Sequence, residues 1–273
     1  MYAAVFHAHQ KIDRVASRLF NELVGNDVAF PSADLILHFE GKRGPDATRL
    51  KSTDGVEQPW HFIDPFDEDD VSLGETVMEH HRQLVLALKT GNRERAAFEA
   101  AWLAHALVDG LTPAHHYPYE RELEMLHGEK RENLKKVRYK FMATGDSKRD
   151  TIRRSLRIIG PRGLLTTHTM FEAGAYMIMR PMRLNNALPS NYDIEQLMSV
   201  GLRKYFHMQA REVGALGMFD MFCTVGWTPK LARTVRRELV PRMVKVVVLA
   251  WYAAALDSGI IDQPEAKNAN HRR

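Results

Sequence analysis

Apolar side chains recur along this chain at intervals of three and four. Ile12, Val15, Ala16, Leu19 and Leu23 keep that spacing, and Val77, Met78, Leu84, Val85 and Leu88 repeat it. An α-helix turns once in 3.6 residues, so each set marks one buried helical face. Residues 93–110, 164–180, 192–222 and 229–257 read likewise, with breaks at Gly and Pro near 110–113, 160–163 and 226–229. Few stretches alternate with period two, so strands are expected to be scarce. Ser190 or Asn191 is placed to cap the helix that begins near Asp193. The longest apolar run, VVVLAWYAAAL at 246–256, is shorter than the roughly 20 residues that cross a bilayer. It is expected to be the buried helix that completes a bundle, and Trp102 and Trp251 are read as core. The pattern predicts an all-α fold, a multi-helix bundle formed as one domain over residues 1–273.

Composition adds two features. The hydrophobic share, 45%, supplies a core without disulfides, and the single cysteine, Cys223 in MFDMFCTVGW, is read as a small buried apolar residue. The charge is unevenly spread. Residues 126–163 hold 12 Lys/Arg against four acids, a surplus of eight in a chain whose net charge is +4. This basic insert, at about 120–163, reads either as a solvated hairpin or as an anion-attracting flap. The stretch FDEDD at 66–70 reads as a solvated loop leading into a helix N-terminus.

The densest chemistry lies in WLAHALVDGLTPAHH, residues 102–116, where His105-x3-Asp109-x5-His115 holds three metal-type ligands on one short segment. Residues four apart project from the same face of a helix, about 40° apart. His168-x3-Glu172 repeats that spacing in THTMFEAG. Imidazoles with carboxylates suit zinc or a similar divalent ion. Chance supplies one or two such pairs at this composition, and His9/Asp13 and His116/Glu120 are read as such accidents with solvated acids. His105/Asp109 and His168/Glu172 stand apart because apolar residues flank them, and buried ionisable groups need partners. His116, next to His115, points elsewhere on a regular backbone and is read as a supporting or exposed residue. No Ser or Cys nucleophile stands in a recognisable motif.

WLAHALVDGLTPAHH resembles the LxxHxxxDxxxPxH signature of the zinc-dependent phospholipases C and the fungal single-strand-specific nucleases. Other stations follow in the same order: His9 in HQKIDRVAS, Asp34 in PSADLIL, His61 in WHFIDP, and His168 with Glu172 in HTMFE. The matches run from residue 9 to 172. The resemblance implies a helical fold with a cluster of zinc ions, two or three here. One ion would be held by Asp34, His61, His105 and Asp109. A second would be held by His115, His168 and Glu172, with a position open to water or substrate. A third would share Asp109 with His9 and the N-terminal amine and carbonyl, where Met1 replaces the family's tryptophan and His7 is the substitute. Asp34 is favoured over Asp46, which lies 15 residues before His61.

The resemblance further implies hydrolysis of a phosphodiester by metal-activated water, with Asp34 holding or deprotonating that water. The H-x-x-[FY]-E form of HTMFE favours a phospholipase C-like enzyme. Leu35 and Gln58 replace the aromatic residues that read choline in that family, whereas Phe62 and Asp64 match residues that hold a base in the nucleases. A single-strand nuclease or nucleotidase is therefore the first alternative, and a non-catalytic metal-binding protein the second. The implied partner is a phosphate-ester substrate, phospholipid or nucleic acid, with an anionic membrane surface as a further one and no protein partner evident. The first residues turn polar too early for a signal peptide, so a cytoplasmic chain is expected, with an exported mature form as the alternative.

Overall fold

The computed structural model describes residues 2–41, 44–45, 61–127, 143 and 145–262; side chains are described from residue 8, except those of 119, 120 and 123. Helix makes up 75% of the structure, and no strand occurs among the described residues. The helices are α1 (Tyr2–Val24), α2 (Ala33–Glu40), α3 (Ser72–Lys89), α4 (Arg93–Gly110), α5 (Tyr119–His127), α6 (Lys148–Ile159) and α7 (Leu164–Met179). They continue with α8 (Asn191–Val200), α9 (Leu202–Ala215), α10 (Met218–Val225), α11 (Pro229–Thr234) and α12 (Val240–Ser258). A 3₁₀ turn, Pro113–His116, follows α4.

Two helices form the centre. In α12 every residue from Val246 to Ala255 is buried, and in α4 every residue from Leu103 to Gly110 is. A helix apolar on all sides belongs in the middle of a bundle. The indole of Trp251 ties the two together by donating to the carbonyl of Ala100 at 3.1 Å. Helices α1 and α3 pack on both, and α2 lies on α4. The run Pro229–Ser258 is long and apolar enough to cross a membrane, but 83% of its most apolar window is buried here, as the bundle-centre reading of 246–256 expects. Within it a π-helical turn, Val235–Leu239, comes just before Pro241, a residue with no N–H to continue the ladder.

Three expectations change. The single helix read over 192–222 is α8, α9 and the start of α10, broken at Gly201 (φ 77°) and Gly217 (φ 57°). Backbone in that left-handed region suits glycine, and apolar periodicity does not report it. Cys223 is exposed, because α10 turns Met218 and Phe219 inward and leaves Cys223 outside. Asp13, read as a solvated acid, is buried in α1 beside Ile12 and Ala16. Ser190 caps α8 in a reciprocal box with Asp193, as expected. The described parts of the basic insert, α5 and α6, carry a small core of their own: Leu126, Ala143 and Ile158.

Candidate metal centre

Six elements deliver side chains to one place. Helix α1 brings His9 and Asp13, four apart on its buried face, and α2 brings Glu40 at its last residue. The segment after residue 60 brings His61, α4 brings His105 and Asp109, the 3₁₀ turn brings His115, and α7 brings His168 and Glu172. At the end of α4, Gly110 has no Cβ, and the ring of Phe206 fills that space. Thr112 Oγ1 then donates to the carbonyl of Val108 at 2.8 Å as the chain turns toward His115.

The first ligand group is His9, His105 and Asp109, all buried, with coordinating atoms within 4.8 Å of one another. Asp109 is its hub. His9 Nε2 lies 3.4 Å from Asp109 Oδ1, and His105 Nε2 lies 3.3 Å from Asp109 Oδ2. His61 Nδ1 contacts the same Oδ2. His115 Nε2 approaches Asp109 Oδ1 to 3.9 Å. Four imidazoles thus surround one carboxylate. Burial pushes the Asp109 carboxyl up, but His105, His115 and His61 together hold it well below the ordinary range.

The second group is His115, His168 and Glu172. His115 Nε2 and His168 Nε2 each stand 3.0 Å from Glu172 Oε1. His115 Nδ1 lies 2.6 Å from the carbonyl of His61, which can only accept, so Nδ1 carries the hydrogen. In the neutral ring Nε2 is then a lone pair facing a carboxylate oxygen. Something positive must lie between them, either a proton or a metal ion. Burial lowers the His115 pKa, and Asp109 and Glu172 more than reverse that, so the ring holds a proton more tightly than a free imidazole does. The partner Glu172 is held below its usual range in spite of burial, chiefly by His168 and His115. The two groups adjoin through His61 and His115, since Ile63 N also donates to the carbonyl of His115 at 3.1 Å.

Behind the first group lie two carboxylates that sequence reasoning missed. Glu40 Oε1 is 3.0 Å from His105 Nδ1, so the ring is flanked by carboxylates at both nitrogens. That arrangement orients a histidine ligand and makes it more basic toward a metal. Asp13 is pushed well above the ordinary carboxyl range by burial and by the charge of Glu40, with His105 pulling the other way. His9 Nδ1, Asp13 Oδ2 and Glu40 Oε2 are buried and have no hydrogen-bond partner among the described residues. Buried acceptors in that state are costly unless a cation or proton compensates them.

Seven of the eight expected ligands therefore converge: His9, His61, His105, Asp109, His115, His168 and Glu172. Asp34 does not. It stands exposed at the second position of α2, while Ile36, Phe39 and Glu40 form that helix's buried face. Two residues turn the helix about 200°, so Asp34 points away from the side on which Ile36 is buried. Its carboxylate suits the helix N-terminus instead. The structure thus does not bring Asp34 to the residues with which the resemblance groups it. Asp46, Met1 and the side chain of His7 lie outside the described residues. His116 is, as expected, no member of either group: its Nε2 donates to the carbonyl of Gly110 at 2.9 Å. Phe62 lies flat on the His115 ring, centroids 5.2 Å apart, and so buttresses a ligand.

A cavity of about 40 Å³ adjoins His9 and Glu172, walled by Ile12, Val108, Met179 and Met243. Apolar walls keep the local dielectric low and strengthen interactions among the charged groups. No family model, no curated protein and no solved structure matches this chain.

Proposed function

We propose that this protein is a zinc-dependent hydrolase of phosphoric esters, acting on phosphodiesters in the manner of the zinc-dependent phospholipases C. The observation that carries the reading is the meeting of two ligand groups around Asp109 and Glu172, joined through His61 and His115. Zinc in these groups would supply a bound water acidified toward neutrality and positive charge opposite the phosphoryl oxygens. The chain's own part is positional. Asp109 is shared among four imidazoles, Glu40 orients His105, and the His61 carbonyl fixes the tautomer of His115. Glu172 and His168 are the more open ligands, so they border the side from which a substrate enters. The nuclease reading is weaker, because Phe62 is engaged with His115 and is not free to stack on a base.

The test is metal analysis of the purified chain, together with hydrolysis of a small phosphodiester, a phospholipid and single-stranded DNA, before and after chelation. Stoichiometric zinc and chelator-sensitive cleavage of the phosphodiester and phospholipid are expected. Cleavage of DNA alone would move the substrate to nucleic acid. Zinc without any turnover would leave a metal-binding protein. A folded chain that holds no metal would overturn the reading.

A further inference from the structure

Helix α6 has an outward face that the metal centre does not explain. Its inner side is anchored. Ile158 is fully buried with Leu126 and Ala143, Arg154 Nη1 donates to the carbonyl of Leu126 at 3.3 Å, and Ser155 Oγ donates to that of Ala143 at 3.4 Å. Ser147 caps its N-terminus through the N–H of Asp150. The outer side carries Ile152, Leu156 and Ile159, which are 61%, 56% and 46% exposed. Their spacing of four and three sets them in one stripe. Arg149, Arg153 and Arg157, each four apart, form a parallel exposed stripe on one edge of it, and Lys148 lies on the other edge. Arg154 belongs to neither stripe, since it turns inward to Asp150 at 2.7 Å. Single exposed aliphatic residues are ordinary on protein surfaces. Three in register, bordered by cations on a helix fixed from behind, form a surface.

We propose that this face of α6 docks on an anionic membrane surface. Interfacial helices have this organisation: an aliphatic stripe that enters the boundary of the acyl chains, and basic residues beside it that meet lipid phosphates. Helix α6 has five basic residues and one acid over Lys148–Ile159, so an anionic partner complements it. A second copy of the chain would set like-charged arginine rows against each other. A nucleic acid would engage the arginines but would leave the aliphatic stripe in water, and α6 offers no aromatic ring on which a base could stack. The proposal is separate from the hydrolase reading, because a chain without turnover would still bind vesicles.

The experiment is co-sedimentation of the full chain with phosphatidylcholine vesicles, with and without phosphatidylserine, at two salt concentrations. The chain should bind the anionic vesicles and release them as salt rises. The triple variant Arg149→Gln/Arg153→Gln/Arg157→Gln should lower the partition coefficient roughly a hundredfold. Ile152→Ser/Leu156→Ser leaves the charge unchanged and should still lower it at least about tenfold. Circular dichroism and zinc content should match the parent in both variants, because neither stripe touches the ligands. No binding to anionic vesicles, or binding that neither variant weakens, would overturn the proposal. So would binding that follows the arginines alone and is displaced by single-stranded DNA, which would make the face a nucleic-acid site.

Discussion

The two ligand groups use the same residue types in different settings. His9, His61, His105 and Asp109 are all buried, and the further carboxylates Asp13 and Glu40 lie behind them. His115 is also buried, but its partners His168 and Glu172 keep 13% and 15% of their side-chain surface exposed, and its support is a backbone carbonyl and the ring of Phe62. Burying a carboxylate costs several kcal/mol unless it is compensated. The inner group is therefore part of what holds α1, α2 and α4 together, and its charge balance is a condition of the fold. The outer group lies nearer solvent and leaves room for a ligand. On this comparison the inner group governs stability and the outer group governs access.

The comparison breaks most directly by removing one histidine from each group. His105→Ala leaves Glu40 and Asp109 facing an empty space and should cost about 3–5 kcal/mol of stability, with loss of the inner metal. His168→Ala removes a half-buried partner of Glu172 and should cost only about 1 kcal/mol. Both should abolish hydrolysis. Thermal unfolding with metal analysis separates the two outcomes, and equal destabilisation would remove the distinction between the groups.

A smaller effect sharpens the role of the carboxylates. Glu40→Gln keeps the shape but weakens the charge behind His105, and it should lower metal affinity by about 10–100-fold. Asp34→Asn, at the exposed start of the same helix, should leave metal affinity unchanged and alter stability by no more than about 0.5 kcal/mol. Competition with a chelator of known affinity measures both. If Asp34→Asn were the variant that releases metal, α2 would have to present its opposite face to the site.

The difference between Asp34 and Glu40 shows how far the sequence could be read. Ligand pairs four apart within one helix were legible: His105 with Asp109, and His168 with Glu172. A helix fixes their relation before any tertiary contact forms. Which face of α2 turns inward is decided by packing on α4, through Ile36 and Phe39. The Ala-Asp motif carries none of that information. His9 with Asp13 shows the reverse error. The spacing alone reads as a solvated pair, yet Ile12, Val15 and Ala16 mark the same side of α1 as buried. That apolar face was the signal that would have found Asp13. The fold was legible where burial follows period 3.6, and it was not at Gly201 and Gly217, where backbone conformation alone breaks the helix.

The smallest expected effect concerns His115 and His116, adjacent in sequence and shifted in opposite directions. Carboxylates raise His115 against its burial, as described above. Among the described residues no carboxylate is a hydrogen-bond partner of His116, and burial pushes it down to about 4, against the pull of its bond to Gly110. A histidine whose folded pKa is depressed binds its proton more readily in the unfolded chain. Its contribution to stability is therefore full above about 6.5 and is lost as the pH falls toward about 4. His116→Gln keeps a side-chain N–H within reach of the Gly110 carbonyl but cannot take up the proton. At pH 5 in the presence of chelator, the variant should recover on the order of 1 kcal/mol relative to the parent, while the two should differ little at pH 7.5. Denaturant unfolding at the two pH values reads the difference directly. A gap that stays the same at both would mean that His116 acts through packing, and that the acid sensitivity of this segment belongs to the outer ligand group.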